Sequence, residues 1–318
     1  MRRRWSHIDF GAIMHPDDKK TVAWLNGLKV PYKSKWEFVR QLTLHPTDHD
    51  LKTWYEIFKA GVEYYTFQDF LRATTNRYQE AYSEVEYQGE GINITASSLP
   101  QMYRQLEEAC AILGISEIPA YSTDWEYGPY HFSNGDKHRR IVMMSGSPDL
   151  LTDDEMMFVL GHELGHFACG HKPYHMLIMT FYMPFMNDAA FRSWASIIKL
   201  PLFEWYRKSD YSADRVGLLC CQDINVALTT MIKKAGLPRK CYDQINISAF
   251  IQQAHDFEEH FTGTMNTIIK NLYLRSSEFP WLVDRAAKLL EWYHSASYQQ
   301  FINSNRSCLQ TNIHKQLY

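Results

Sequence analysis

Two histidines four residues apart, with a glutamate directly after the first, are the residues of this chain best suited to chemistry: His162-Glu163-Leu164-Gly165-His166. On a helix, positions four apart sit about one turn apart on one face, so both imidazoles can bind one cation. Glu163 is turned about a third of the way round the helix, where its carboxylate faces a metal-bound water instead of the metal. That is the signature of a metal-dependent hydrolase.

These side chains need a helix with a fixed start and a tight neighbour. Thr152 with Glu155 three residues on makes a capping box, acids fill the first turn, and Met156, Phe158, Val159 and Leu160 supply a buried face. The helix is therefore expected to begin near Thr152. Gly161 and Gly165 each cost about 1 kcal/mol against Ala inside a helix, which points to a second backbone packed close beside the metal.

A hydrolytic zinc takes three protein ligands and leaves one position for water. The metzincin pattern HExxHxxGxxH would require Gly at Cys169 and His at Lys172. Gly170 and His171 are one place out of register, so that class is disfavoured. The gluzincin solution places an acidic residue on a later helix, often with an Asp four residues further on to orient a ligand histidine. Residues 209–215, SDYSADR, fit it: Asp210 and Asp214 lie one turn apart, and Ser212, Ala213 and Gly217 are small enough for close helix approach.

The rest of the chain supplies the frame. With 318 residues and 45% hydrophobic content it can bury a large core, and a net charge of -3 gives no basic field for nucleic acid. The basic start, Met1 to Arg4, leads into no apolar run and is read as a solvated terminus, not a secretory signal. Six cysteines without a CxxC pair fit a reducing compartment. Residues 1–90 read as a helical region, with helices opening at His15-Pro16-Asp17-Asp18, at Ser34 and at His45-Pro46; His7, His15, His45 and His49 are expected to cap helices or be solvated. Residues 84–98 combine charge, glycines and short alternation as a linker or hairpin would, which sets the boundary to a second domain over 91–318.

Residues 99–114 read as a helix stopped by Gly114, residues 118–121 as a short strand, and 140–144 as a strand reached through a turn at Asn134-Gly135. Residues 127–132 are the expected sheet edge, onto which a peptide substrate could add as a strand, with Tyr130 and His131 as substrate contacts. His131 and His138 flank the turn and are expected to be exposed. Residues 176–186 and 194–206 are apolar stretches too short to cross a bilayer, expected as buried or lid helices, with a peripheral membrane contact through 176–206 as the other reading. From residue 225 onward the chain reads as helical.

HELGH followed by DYSADR resembles the M48 zinc metallopeptidases of the Ste24 and HtpX type. HPDDKKTVAWL, YRQLEEACAILGI, IVMMSGSPDLLTDDE and FPWLVDRAAKLLEW are similar to soluble bacterial chains of that family, so most of the sequence is covered. The resemblance implies an α+β, predominantly helical fold with a gluzincin-like core, in which the edge of a small β-sheet precedes the HExxH helix. It implies one zinc per chain on His162, His166 and Asp210, Glu163 as general base, and Asp214 orienting a ligand. The third ligand is Asp where the best-known members have Glu, so Glu204 and Asp214 stay open as alternatives to Asp210. Phe279 stands where many members have a histidine that could stabilise the oxyanion; Tyr211, His255 and His260 are the available substitutes. His171 matches the family's helix ending, where a structural role is expected. The implied function is a zinc endopeptidase acting on peptide or protein substrates, in the cytoplasm or associated with a membrane, without a transmembrane span. The alternative is a catalytically weak or inactive, metal-stabilised binding or regulatory module.

Overall fold

The capping box sets the first turn of the motif helix. Thr152 Oγ1 accepts from the Glu155 N–H at 3.3 Å, and the Glu155 carboxylate accepts from the Thr152 N–H at 2.8 Å, so two N-terminal donors that the helix leaves unpaired are satisfied. Glu155 is also buried against Lys233, 2.7 Å away, which ties the helix start to a later element. The computed structural model describes residues 2–27, 29–31, 64–66, 85–124, 131–134, 139–175, 189–260 and 281–315.

Among the described residues the helices include α1 (Phe10–Ile13), α2 (Pro16–Asn26), α3 (Pro100–Leu113), α4 (Ser147–Leu150), α5 (Asp153–Ala168), α6 (Ala189–Cys221), α7 (Ile224–Lys234), α8 (Ile247–His260), α9 (Leu282–His294) and α10 (Ala296–Lys315). The strands are β1 (Lys29–Pro31), β2 (Tyr64–Thr66), β3 (Ile92–Ile94), β4 (Ala120–Thr123), β5 (His131–Asn134) and β6 (Arg140–Met144). The fold is thus α+β and predominantly helical. Strands β3 to β6 form one mixed sheet in the order β3-β4-β6-β5, with β4 and β6 parallel and the outer pairs antiparallel; β1 and β2 form a separate antiparallel pair.

The motif helix α5 is the axis of the core. Every residue from Glu155 to Phe167 is buried, so this helix has no solvent face and must be covered on all sides. Leu106 and Ile112 of α3, Ile141 and Met143 of β6, Val216 and Leu219 of α6, Leu228 and Met231 of α7, and Leu289 of α9 close around it. At about 1.5–3 kcal/mol for each large side chain fully removed from water, this layer holds α5 far more firmly than intrinsic propensity could. The central strand β6 is buried along its whole length, while β5 lies at the sheet edge and packs against α5.

Several expectations meet their structures here. Helix α3 ends at Gly114, whose φ of +66° supplies the left-handed C-terminal turn. His15 caps α2 by accepting from the Asp17 N–H. The segment 84–98 contains β3, which pairs with β4. Asn134, expected in the turn, is instead the last residue of β5 and pairs with Arg140; residues 135–138 lie outside the described residues. Lys199, Pro201 and Glu204 interrupt the apolar stretch 194–206 but not the helix: α6 runs unbroken into the DYSAD segment, with Leu202 and Trp205 fully buried. The helices expected at Ser34 and His45, and residues 176–188, lie outside the described residues. Among those described, no helix is long and apolar enough to cross a membrane.

Candidate metal centre

The two helices that carry the chemistry touch backbone to backbone. A Cβ on Gly161 would lie 3.0 Å from the Gly217 Cα, and one on Gly165 would lie 2.9 Å from the Val216 Cβ and 3.2 Å from the Ala213 Cα. Small residues on α5 and α6 therefore set the spacing, and that spacing brings Asp210 and Asp214 up to the two imidazoles.

Three side chains converge. Nε2 of His162 is 3.2 Å from Nε2 of His166, which is 3.6 Å from Oδ1 of Asp210, and the three donor atoms all lie within 4.8 Å of one another. A tetrahedral zinc with bonds of roughly 2.0–2.1 Å has ligand-to-ligand edges of about 3.3–3.4 Å, so these donors fit such an ion. Proton bookkeeping agrees. Nδ1 of His162 lies 2.8 Å from Oδ1 of Asp214, and a carboxylate can only accept, so His162 carries its proton on Nδ1 and leaves Nε2 with a bare lone pair. Glu163 reaches the same place from the side, with Oε1 4.0 Å from Nε2 of His162. All three motif side chains are buried.

Behind His162 stands a charge pair. Arg285 on α9 donates to both oxygens of Asp214, at 2.8 and 2.6 Å, and its Nη1 is 3.3 Å from Oδ2 of Asp210. Burial alone would raise the Asp214 carboxyl, but the Arg285 guanidinium and the His162 hydrogen bond overcome it and hold the group below the usual carboxylate range. One guanidinium thus organises both carboxylates of DYSAD. Burial, followed by the nearby Lys172 ammonium, pushes His166 well below its ordinary range, so this ring is neutral and fit to donate a lone pair.

Behind His166 stands a second network. The motif helix ends in a Schellman turn: Gly170, at φ +71°, donates to Phe167 O, and His171 donates its N–H to His166 O at 2.9 Å. That turn folds His171 back under His166, Nδ1 to Nδ1 at 2.9 Å. Nε2 of His171 then meets the buried Asp18 of α2 at 2.9 Å. His175 lies alongside, its Nε2 2.9 Å from Ser209 Oγ.

The other residues singled out from sequence fall as follows. Asp214 is engaged by His162 Nδ1 and Arg285, on the far side of the ring from the convergent Nε2 atoms. Tyr130, Phe279 and the Glu204 side chain lie outside what is described. His131 corrects the expectation of exposure: it is only 5% exposed, because β5 lays it opposite the buried Met143 and against α5. Neither of its ring nitrogens has a hydrogen-bond partner among the described residues. Tyr211 donates its hydroxyl to Asp284, and His255 is exposed. Asp18 and Arg285 were not singled out as site residues. For Asp18 the local pattern signals only an acidic first turn of a helix; Arg285 stands in the FPWLVDR segment with no local cue to its partner.

An HExxH helix buried beneath a small mixed sheet, with carboxylates supplied by a neighbouring helix, is the architecture of the zincin-like α+β proteins. Residues 100–293, more than half of the chain, match the model of Peptidase family M48, and the chain belongs to that family. It is also similar to the plastoglobule-localized metallopeptidase 48, chloroplastic, of Arabidopsis thaliana, at 27% identity over 236 residues, covering 74% of this chain and 69% of that protein. No solved structure matches it. Family membership makes the coarse activity that of a metallopeptidase, with peptides or proteins as its substrates.

Proposed function

We propose that the chain is a zinc-dependent endopeptidase in which His162, His166 and Asp210 hold one zinc ion, Glu163 is the general base and Asp214 orients His162. The observation that carries this reading is the convergence of two imidazole Nε2 atoms and one Asp210 oxygen on a single point beside the Glu163 carboxylate. When bound, zinc acidifies water and polarises a carbonyl. Glu163 is placed to take the proton of the attacking water and to deliver it to the leaving amine. Arg285 fixes Asp210 and Asp214 together, so the third ligand and the partner of the first move as one unit. The β5 edge beside α5 is where an extended substrate would add as a strand, with His131 on that edge strand.

Glu163→Gln is the test. It removes the base but none of the three ligands, so the variant should retain about one zinc per chain while cleavage of an unstructured protein falls by roughly 10²–10⁴-fold. Equal inactivity of wild type and variant on every unfolded substrate, with zinc bound in both, would favour a metal-stabilised binding module instead.

A further inference from the structure

Outside the converging triad and the Asp214–Arg285 pair behind it stands a further buried carboxylate, Asp18, far upstream in the chain and outside the span matched by the family model. It is fully buried, and its oxygens accept three hydrogen bonds. Trp205 Nε1 donates to Oδ1 at 2.6 Å, while Ser212 Oγ at 2.6 Å and His171 Nε2 at 2.9 Å donate to Oδ2. The carboxylate has no proton to give, so a neutral His171 carries its proton on Nε2 and keeps Nδ1 bare. Nδ1 of His171 faces Nδ1 of His166 at 2.9 Å, and two bare nitrogens would repel at that distance. His166 therefore carries its proton on Nδ1 and leaves Nε2 bare beside Nε2 of His162 and Asp210, a convergence of lone pairs that a shared cation would relieve. The direction of every proton in this chain follows from one carboxylate.

We propose that Asp18, acting through His171, fixes the tautomer and orientation of His166, making the N-terminal helix α2 a positioning element of the metal centre. The inference rests on the proposed zinc site and deepens it. His171 can act here because Gly170 folds it beneath His166, and Asp18 can because Trp205 and Ser212 dock α2 on the same helix that carries Asp210. A partner one hydrogen bond removed from a ligand, as His171 is here, commonly alters metal affinity by about 10–100-fold when replaced.

Asp18→Asn tests the direction of the chain directly. Trp205 Nε1 needs an acceptor, so the amide oxygen stays with Trp205 and the amide nitrogen turns to His171, forcing its proton onto Nδ1 against His166. Zinc affinity, measured by chelator competition on the folded apoprotein, should fall about 10–100-fold, and the visible absorption bands of the cobalt(II)-substituted protein should shift. His171→Leu should do the same. His171→Gln, which restores an acceptor for the His166 proton, should recover part of the affinity; this pair carries the test should Asp18→Asn fail to fold. Folded variants with wild-type zinc affinity and an unchanged cobalt spectrum would overturn the proposal. So would two zinc ions per chain, because His166, His171 and His175 also present ligand atoms to one another and a second ion there would take the Nδ1 lone pair of His166. A wild-type protein that binds no zinc at all would instead refute the metal site itself, so the two failures are distinguishable.

Discussion

The two imidazoles of the motif are held from behind by different means. Nδ1 of His162 meets a carboxylate directly, and that carboxylate is locked by two hydrogen bonds from Arg285. Nδ1 of His166 meets another imidazole, and the carboxylate stands one residue further off, held by a tryptophan, a serine and the relaying histidine without an arginine among them. The first arrangement is a buried ion pair, whose strength comes from charge and whose weakness is that either partner alone is a stranded charge. The second spreads one negative charge over three donors, and its effect on His166 is mainly to set where a proton sits. An imidazole can thus be oriented by electrostatic force or by hydrogen-bond polarity, and this site uses one on each side.

The largest stability effect should come from breaking the charged side. Arg285→Met leaves Asp214 buried without its counter-charge and removes a partner of Asp210, so urea denaturation should show a loss of about 3–5 kcal/mol. A loss under about 1 kcal/mol would mean that the pair is not the support described. Next comes the ligand comparison itself. Asp214→Asn should weaken zinc binding by about 10–100-fold, and by at least as much as Asp18→Asn, because it acts on its ligand without an intermediary. A larger effect at Asp18 would reverse the ranking and make the relayed side the dominant one.

The smallest effect at neutral pH concerns a histidine on neither side. Burial, followed by the charge of Lys234, pushes His131 down to about 3. The unfolded chain takes up this proton near pH 6.5 and the folded chain does not until near pH 3, so the unfolded state binds more protons over that interval. Stability should fall as pH drops from 6.5 toward 3, by up to roughly 1.4 kcal/mol per pH unit from this one group. His131→Phe should flatten that acid limb in pH-dependent melting while changing little at pH 7.5; an unchanged limb would show that other groups set it.

How far the sequence carried depends on how local each cause is. The start of α5 was legible because Thr152 and Glu155 are three residues apart and their bonds are made within one turn. The tight partner of α5 was legible from Gly161 and Gly165, since only close backbone approach makes two helix-interior glycines worth their cost. Asp18 was not, because its neighbours are 153, 187 and 194 residues away in the chain and nothing near position 18 encodes them. His131 was misjudged for the opposite reason: its polar surroundings in sequence suggested solvent, whereas the register of β5 against β6 turned it inward.

X-ray absorption fine structure at the zinc edge on the wild-type protein tests the metal centre most directly. The account predicts one zinc per chain with two imidazole nitrogens and otherwise oxygen ligands, the imidazole count falling to one in His162→Ala. Three or more imidazoles around the ion, or none, would contradict it.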